Sequence, residues 1–367
     1  MSEIRRMVLK VGTSVLLDEK KRISRARMLD FARQIKAVHD RSVDVILVSS
    51  GAIACGMETM GLKRKPREMA RKQALASIGQ VALMAMYMEA FSQAGLKASQ
   101  VLLTHEDTKS NDRCINLLNT IDALLAMGTV PVINENDTLS FEEIMFGDND
   151  NLSALIAQIT SADLLVLLSD VDGLYDKDPK RHPGARIIRT VRRFDERVEA
   201  YAQDTSSEKS VGGMTSKLEA AKKAGQYGIP TRLAGGGVKD VVLKAAAGEQ
   251  IGTLFAAAKR MSRKKCWIAF AFTPKGRLAV DRGAQKALVE RGKSLLPSGI
   301  LGVEGAFSRG ECVEVADGNA RVIARGITNY SSGDIDRIKG SKSIEIERKL
   351  GYKYTEEVIH RDNMVIL

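Results

Sequence analysis

The sequence predicts an α/β protein in which a mainly parallel sheet is sandwiched by helices, followed by a second, smaller, β-rich domain. Two observations predict the first domain. Short and almost wholly apolar runs alternate with segments of helical periodicity up to about residue 255, and such runs are typical of strands that are covered on both faces. A third observation predicts the second domain, because short strands and frequent glycine turns replace this alternation farther along the chain.

Each element of the first domain follows from its residue pattern. Strands are predicted at the short apolar runs 7–11, 43–48, 100–104, 129–133, 163–168 and 229–234. Helices are predicted where apolar residues recur every three or four positions, at 25–38, 70–91, 151–160 and 215–226. Ligands of parallel sheets bind beyond the carboxyl ends of the strands. We therefore expect the functional site where polar and glycine residues follow these runs.

Composition excludes several classes of protein. With 44% hydrophobic and 28% charged residues, the chain is neither disordered nor collagen-like. Its cysteines and histidines are isolated, so neither a zinc site nor a disulfide framework is predicted. Arg5, Arg6 and Lys10 interrupt the apolar N-terminal run, and no apolar stretch elsewhere approaches the roughly 18 residues of a membrane span. We therefore expect a cytoplasmic location.

The positive charge of the chain is uneven. The formal net charge is +11, and residues 261–367 contain 19 Lys and Arg against 13 Asp and Glu. Such a surplus favours nucleic acid or another polyanion as a partner. RNA binding is therefore a question about the second domain rather than about the whole chain.

Two polar segments follow the first two predicted strands. In Lys10-Val-Gly-Thr-Ser14 the lysine can carry a charge to a phosphate, and Gly12 permits close backbone approach. Taken alone, the same pattern also fits an ordinary surface lysine. In Ser49-Ser-Gly-Ala52, backbone N–H groups that lead into a helix suit an anion such as a carboxylate. Taken alone, this segment is better explained as a tight strand-to-helix turn.

The densest polar clusters are Asn134-Glu-Asn-Asp-Thr138 and Gly147-Asp-Asn-Asp-Asn151. Their side chains suit recognition of an ammonium group or placement of a cation near phosphates. Neither matches an EF-hand loop, because the glycine and the distal glutamate are misplaced. Ordinary turns and helix caps also use Asp and Asn, so that alternative stays open.

The last two segments contain the second lysine. Ser169-Asp-Val-Asp-Gly-Leu-Tyr175 follows the strand at 163–168, and Val211-Gly-Gly-Met-Thr-Ser-Lys217 precedes a helix. Ser216 and Glu219 form a capping-box pattern, which places Lys217 in the first helical turn. A cation at that position is unfavourable for the helix itself. Its presence is explained if the lysine and the helix N-terminus both point at a phosphate.

Together these segments predict phosphoryl transfer, which needs little beyond positioning and neutralisation of charge. A carboxylate acceptor is already ionised at neutral pH, since its ordinary pKa is near 4. The absence of a plausible catalytic histidine is consistent with such an acceptor. No Walker A, GxGxxG or GxSxG pattern is present, so P-loop, dinucleotide-binding and hydrolase chemistry are not predicted.

The order and spacing of these segments resemble the amino acid kinase family over residues 1–255. The matching motifs are KVGTS at 10–14, SSGA at 49–52, NENDT at 134–138, GDND at 147–150, SDVDGLY at 169–175 and GGMTSK at 212–217. Residues 275–353 resemble a PUA domain, a small pseudo-barrel that is also found in RNA-modifying enzymes. The resemblance implies an amino acid kinase domain at 1–255, a linker at 256–274, a PUA domain at 275–353 and a C-terminal tail at 354–367.

The resemblance is to family members that phosphorylate the γ-carboxylate of L-glutamate with ATP, in the first step of proline biosynthesis. It implies Mg²⁺ with the nucleotide, feedback inhibition by proline, a homo-oligomer (dimer or tetramer), and a functional link to glutamyl phosphate reductase. Two alternatives stay open. The first alternative is another amino acid kinase, which would act on aspartate, N-acetylglutamate or carbamate. The second is an RNA-binding protein whose function resides in the PUA domain.

The resemblance also implies site residues. Lys10 and Lys217 would stabilise the transferring phosphoryl group, and Asp150 would orient both lysines. The glutamate pocket would comprise Ser50, Gly51, Asn134, Asp137, Asp148 and Asn149, with Asp137 facing the ammonium group. The nucleotide would contact Lys10, Ser169, Asp170, Val211, Gly212, Gly213, Met214, Thr215, Ser216 and Lys217. No protein ligand of a metal is predicted.

Overall fold

The computed structural model describes residues 3–104, 107, 111–139, 149–179, 181–204, 213–257, 265, 268 and 272–367. The chain divides into two compact units. The larger comprises Met1–Thr108 and Ile115–Arg260, and the smaller comprises Lys109–Cys114 and Met261–Leu367.

The larger unit is built on an eight-stranded sheet with the order β3-β4-β2-β1-β5-β7-β8-β6. Its strands are β1 (Arg6–Val11), β2 (Asp44–Val48), β3 (Lys97–Leu103), β4 (Thr129–Glu135), β5 (Leu164–Ser169), β6 (Thr190–Val191), β7 (Thr231–Gly235) and β8 (Thr253–Phe255). Neighbouring strands are parallel except for β7 and β8. Every residue of β5 is buried, as expected for a strand covered on both faces. The predicted mainly parallel α/β sheet is therefore confirmed.

Helices connect and cover these strands, as predicted. They are α1 (Thr13–Leu16), α2 (Arg25–His39), α3 (Ala52–Thr59), α4 (Met69–Gln93), α5 (Asn111–Ala126), α6 (Asn149–Ile159), α7 (Glu196–Asp204), α8 (Met214–Gln226) and α9 (Val241–Ala246). In α2, the hydroxyl of Ser24 caps the N-terminus by accepting from the backbone N–H of Arg27. The helix then buries Met28, Phe31 and Ile35 at helical spacing in the core. Strands β6 and β8 escape sequence prediction because two or three residues show no periodicity.

Helix α4 contradicts one expectation. An 18-residue window within it has a mean hydropathy of 1.4, so its length and composition alone suffice for crossing a membrane. The expectation that no stretch approaches this length was wrong. The window is 44% buried, and Leu83, Tyr87 and Phe91 lie in the core. A core helix passes the same test, so the hydropathy is weak evidence for a membrane.

Helices α3 and α4 approach each other backbone to backbone. A Cβ atom at Gly79 of α4 would lie 1.8 Å from the carbonyl oxygen of Ala52, and one at Gly56 of α3 would lie 1.9 Å from that of Leu75. Only glycine permits this approach. The contact fixes α3, and with it the segment at 49–52, against α4.

The smaller unit contains a five-stranded sheet with the order β10-β9-β11-β12-β13. Its strands are β9 (Gly276–Val280), β10 (Ile300–Glu304), β11 (Cys312–Ala316), β12 (Val322–Ile327) and β13 (Met364–Ile366), and its helices are α10 (Arg282–Arg291), α11 (Ser332–Ile338) and α12 (Ile346–Leu350). The predicted small β-rich domain is thus present. Strand β13 pairs with β12, so the segment at 354–367 adds a strand to this sheet. The exact domain boundaries stay a prediction.

Candidate active site

The predicted site segments meet because neighbouring parallel strands end at one edge of the sheet. Strand β1 lies between β2 and β5, and its Lys10 is in register with Val48 and Leu167. Strand β4 lies beside β2, and β7 lies beside β5. The residues that follow these strands are therefore neighbours in space, as expected for a ligand site of a parallel sheet.

The centre of the site is a buried carboxylate held between two lysines. Asp150, in the first turn of α6, forms an ion pair of 2.5 Å between Oδ1 and the Nζ atom of Lys10. Its Oδ2 lies 3.2 Å from the Nζ atom of Lys217 on α8. Asp150 is 0% exposed and each lysine 5% exposed. Two ammonium groups from distant parts of the chain are thereby placed around one anion.

The charges of this cluster perturb its ionisation. Burial raises the pKa of Asp150, but the charges of Lys10 and Lys217 and the hydrogen bond from Ser216 outweigh it and hold that pKa below its usual range. Burial lowers the pKa of Lys217, and the neighbouring charge of Lys10 lowers it further, while Asp150 opposes both effects. The net effect holds the pKa of Lys217 below its usual value, and the carboxylate of Asp150 limits that shift.

Ser216 does not cap the helix, so the predicted capping box was wrong. Helix α8 begins one turn earlier than that pattern requires, with Gly213 at the N-cap position and no side-chain cap. The hydroxyl of Ser216 instead donates to Oδ2 of Asp150 at 2.8 Å. A hydroxyl that binds the buried carboxylate is not available to cap the helix. Lys217 therefore lies about one turn into α8 rather than directly after the N-cap as the capping-box pattern predicts.

A second cluster, of amides and hydroxyls, lies beside the lysines. Nδ2 of Asn149 donates to the carbonyl oxygen of Ser49 at 2.6 Å and lies 3.0 Å from the hydroxyl of Ser50. It also lies 2.9 Å from Oδ1 of Asn134. The predicted substrate residues Ser50, Asn134 and Asn149 are thus brought together, and Asn149 directly precedes Asp150 in the chain. Gly51 has a φ of 107° at the N-cap of α3, a left-handed conformation that favours glycine.

Sequence analysis missed two residues of α4 that hold this cluster from behind. Oε1 of Gln80 accepts a hydrogen bond of 2.8 Å from Nδ2 of Asn134. The hydroxyl of Tyr87 lies 2.8 Å from that of Ser49 within the core. The two residues are seven positions apart and so share one face of the helix. Polar side chains on the inward face of an otherwise apolar helix were the signal that points to them.

Asp137 lies in the turn after β4 and is half-buried. Burial raises its pKa to about 6, and the positive charge of Lys65 opposes this shift. Lys65 belongs to the basic run after α3 and is exposed. Asp137 is therefore a carboxylate with an unfavourable environment until a cation approaches it, as expected of a group that receives an ammonium ion.

On the other side of the lysines lie the residues predicted to contact a nucleotide. The hydroxyl of Ser169 donates to Oδ1 of Asp170 at 3.1 Å, and the N–H of Gly236 donates to the carbonyl of Ser169 at 2.8 Å. Asp170 is exposed at the end of β5. Among the remaining predicted residues, Gly213 and Ser216 are partly exposed, Met214 is buried and Thr215 is exposed; Asp148, Val211 and Gly212 lie outside the described residues.

Within the part of the chain that the structure describes, no group of three or more His, Cys, Asp or Glu side chains could hold a metal ion. Both oxygens of Asp150 already face lysines. The described side chains therefore do not form a dedicated metal site. Mg²⁺ in phosphoryl-transfer enzymes is commonly held by substrate phosphates and only one or two carboxylates.

Comparisons with known proteins show what the chain is similar to. Residues 5–235 match the model of the amino acid kinase family, and residues 276–350 match that of the PUA domain. A relative from Thermus thermophilus named glutamate 5-kinase is 50% identical over 364 residues, covering 99% of this chain and 97% of the relative. Relatives with the same name from Geobacter sulfurreducens and Caldanaerobacter subterraneus are 45% and 46% identical, with coverage of at least 98% on either side.

Proposed function

The chain belongs to the amino acid kinase family, and from that premise we propose that it phosphorylates the γ-carboxylate of L-glutamate with ATP, yielding L-glutamyl 5-phosphate and ADP. The observation that carries the proposal is the pair of buried lysines, Lys10 and Lys217, held around Asp150. Two fixed cations suit the charge that spreads over a transferring phosphoryl group. The names of the relatives support glutamate as the acceptor.

In the proposed reaction, an oxygen of the glutamate γ-carboxylate attacks the γ-phosphorus, and the bond from that phosphorus to the bridging oxygen of ADP breaks. The acceptor is already ionised, so no general base is required. Lys10 and Lys217 neutralise the phosphoryl oxygens, and Asp150 keeps both ammonium groups in place. The absence of a nucleophilic His or Cys among the predicted site residues favours one direct in-line transfer. Inversion of configuration at a chiral γ-phosphorus is expected, and retention would contradict this mechanism.

The glutamate pocket is proposed at the amide cluster, with Ser50, Gly51, Asn134 and Asn149 around the substrate and Asp137 at its ammonium group. The nucleotide is proposed beside Ser169, Asp170 and the loop at 211–217. No step is assigned to Mg²⁺, which we expect to arrive with the ATP phosphates. Inhibition by proline, assembly into an oligomer, a link to glutamyl phosphate reductase and a cytoplasmic location are further proposals.

The test is ADP release that depends on the acceptor. L-Glutamate, aspartate, N-acetylglutamate and carbamate are compared, and hydroxylamine traps any acyl phosphate. We expect release with glutamate alone and less release when proline is added. Release with another acceptor but not with glutamate would move the chain elsewhere in the family. Lys217→Ala should lower kcat by about 10²- to 10³-fold, whereas Lys222→Ala, which loses an exposed ion pair on the same helix, should leave kcat unchanged.

RNA binding by the smaller domain is the alternative function, favoured by its surplus of Lys and Arg. A titration with structured RNA at increasing salt tests it, because phosphate contacts make affinity fall steeply with salt. Deletion of residues 266–367, followed by measurement of oligomer size, activity and proline inhibition, tests whether the domain serves assembly or regulation instead.

A further inference from the structure

We propose that Gln80 of α4 is a positioning residue that sets the recognition of the substrate's ammonium group, acting through Asn134 and Asn149. The proposal rests on the proposed glutamate pocket. It is carried by a chain of hydrogen bonds from α4 to one buried and unpartnered amide oxygen.

The orientations of both asparagine amides follow from backbone groups whose polarity is unambiguous. The N–H of Glu135 can only donate, and it donates to Oδ1 of Asn134 at 3.0 Å. The carbonyl oxygen of Ser49 can only accept, and it accepts from Nδ2 of Asn149 at 2.6 Å. Consequently, Nδ2 of Asn134 faces α4, and Nδ2 of Asn149 faces Ser49 and Asn134.

Gln80 completes this arrangement. Its Oε1 accepts from Nδ2 of Asn134 at 2.8 Å, while Oδ1 of Asn134 accepts from Asn149. With its nitrogen engaged in this way, Asn149 has a buried Oδ1 atom that no described residue contacts with a hydrogen bond. The side chain is 8% exposed, so this oxygen is a nearly dehydrated acceptor.

The unpartnered buried oxygen of Asn149 indicates the chemistry of the ligand group that binds there. An unpaired buried oxygen costs free energy and favours a donor, above all a charged one. In glutamate the only such donor is the α-ammonium group, since both carboxylates can only accept. The structure therefore assigns the oxygen of Asn149 to the ammonium group, together with Asp137.

Loss of the acceptor at Gln80 would disturb this polarity. Nδ2 of Asn134 would then lack its partner, and the Asn134 side chain would no longer be held where its Oδ1 engages the nitrogen of Asn149 and leaves the Asn149 oxygen to the ammonium group. Removal of Gln80 should therefore weaken the binding of ligands that carry an ammonium group and leave the binding of ligands without one unchanged. A residue that supports only the stability of the fold would weaken both alike.

The experiment measures binding of L-glutamate and of glutarate, which lacks the amino group, by titration calorimetry on the full chain without ATP. For Gln80→Met we expect the Kd of glutamate to rise about tenfold, the value of one lost hydrogen bond to a charged group. The Kd of glutarate should change less than twofold. The KM for glutamate should rise in parallel, with kcat within twofold of the wild-type value. Methionine and glutamine have similar helix propensities, so the helix itself is spared.

Two further variants sharpen the outcome. Gln80→Glu retains an acceptor and should keep glutamate binding within about threefold of wild type or tighter; it also decides the matter if Gln80→Met does not fold. Gln93→Met, on the same helix but exposed, should change neither ligand. The proposal is overturned if Gln80→Met weakens the binding of glutamate and of glutarate equally, or if it weakens the binding of neither. It is also overturned if Gln80→Glu no longer binds glutamate more tightly than glutarate. If the wild-type protein releases no ADP with glutamate, the proposed function fails instead.

Discussion

Replacement of Asp150 by Asn removes the one negative charge between two buried lysines while keeping the shape of the side chain. At an effective dielectric constant of about 20, unit charges separated by 2.5 and 3.2 Å attract by roughly 7 and 5 kcal/mol. The cost of burying the carboxylate offsets much of this attraction. Removal of one partner of such a buried pair typically costs about 3–5 kcal/mol, because the remaining charges stay buried without compensation.

The same change should alter the chemistry in two ways. The two ammonium groups lose their common anchor, and misplaced charge stabilisation should lower kcat by about 10²- to 10³-fold. Asp150 also opposes the effects of burial and of Lys10, which lower the pKa of Lys217. Without it that pKa falls further, so Lys217 becomes neutral at a lower pH. The residual kcat of Asp150→Asn should therefore decline with rising pH, and the decline should begin at a lower pH than in the wild-type protein.

The assay is glutamate-dependent ADP release over a range of pH values, with urea unfolding followed by circular dichroism. Asp44→Asn is the matched control, because Asp44 pairs with Arg6 at the other end of β1. It should lower the free energy of unfolding without changing kcat. If Asp150→Asn has a native spectrum and a kcat within threefold of wild type, the carboxylate does not organise the lysines and the reasoning is refuted.

Three further predictions concern other parts of the chain. Burial raises the pKa of Asp137 to about 6, above the usual value of an aspartate, so its ionised form becomes dominant as the pH rises through 6. The KM for glutamate should fall as the pH rises from 5 to 7, and Asp137→Asn should abolish this dependence. The contribution of Asp137 to the free energy of unfolding should decrease as the pH rises from 4 to 6, because the folded state binds more protons than the unfolded state in this range. In Gly79→Ala the new Cβ would lie 1.8 Å from the carbonyl oxygen of Ala52. The substitution should therefore lower the free energy of unfolding of the larger unit, measured in urea, by about 3 kcal/mol and raise the KM for glutamate. An unchanged midpoint of urea unfolding would contradict the close approach of the two helices. The buried hydroxyl of Tyr330 donates to the carbonyl oxygen of Thr355 and accepts from the N–H of Thr355. Tyr330→Phe should therefore lower the free energy of unfolding of the smaller unit by about 1–3 kcal/mol and leave ADP release unaltered. A loss of ADP release in a folded variant would contradict a purely structural role of this hydroxyl.

Much of the fold was predictable because strand and helix periodicities are local. β5 is apolar throughout and is buried throughout, and α2 buries the residues that its periodicity predicts. Other features depend on contacts across the chain. The pattern S-x-x-E at Ser216 predicts a cap, but the hydroxyl binds Asp150 and the helix begins at Met214. A local pattern cannot register a competing partner that lies far away in the sequence.

Some residues of the candidate site were likewise predictable from the sequence, whereas others were not. Lys10 and the segment at 49–52 were found because polar residues at the ends of apolar strands are visible in the sequence. Gln80 and Tyr87 were not found, because a glutamine and a tyrosine in an apolar helix have no fixed partner until the helix is docked. The close approach of α3 and α4 through glycine places both side chains behind the pocket.

The sequence by itself determined the class of fold and the class of chemistry, since alternating periods encode a parallel sheet and its strand ends carry lysines, glycines and amides. The tertiary structure alone decided which atoms face each other. The register of β1 against β2 and β5, and the docking of α6 and α8, place both lysines on one carboxylate. Hydrogen bonds and ion pairs act over a few ångströms, and such distances between remote residues exist only after the elements have packed.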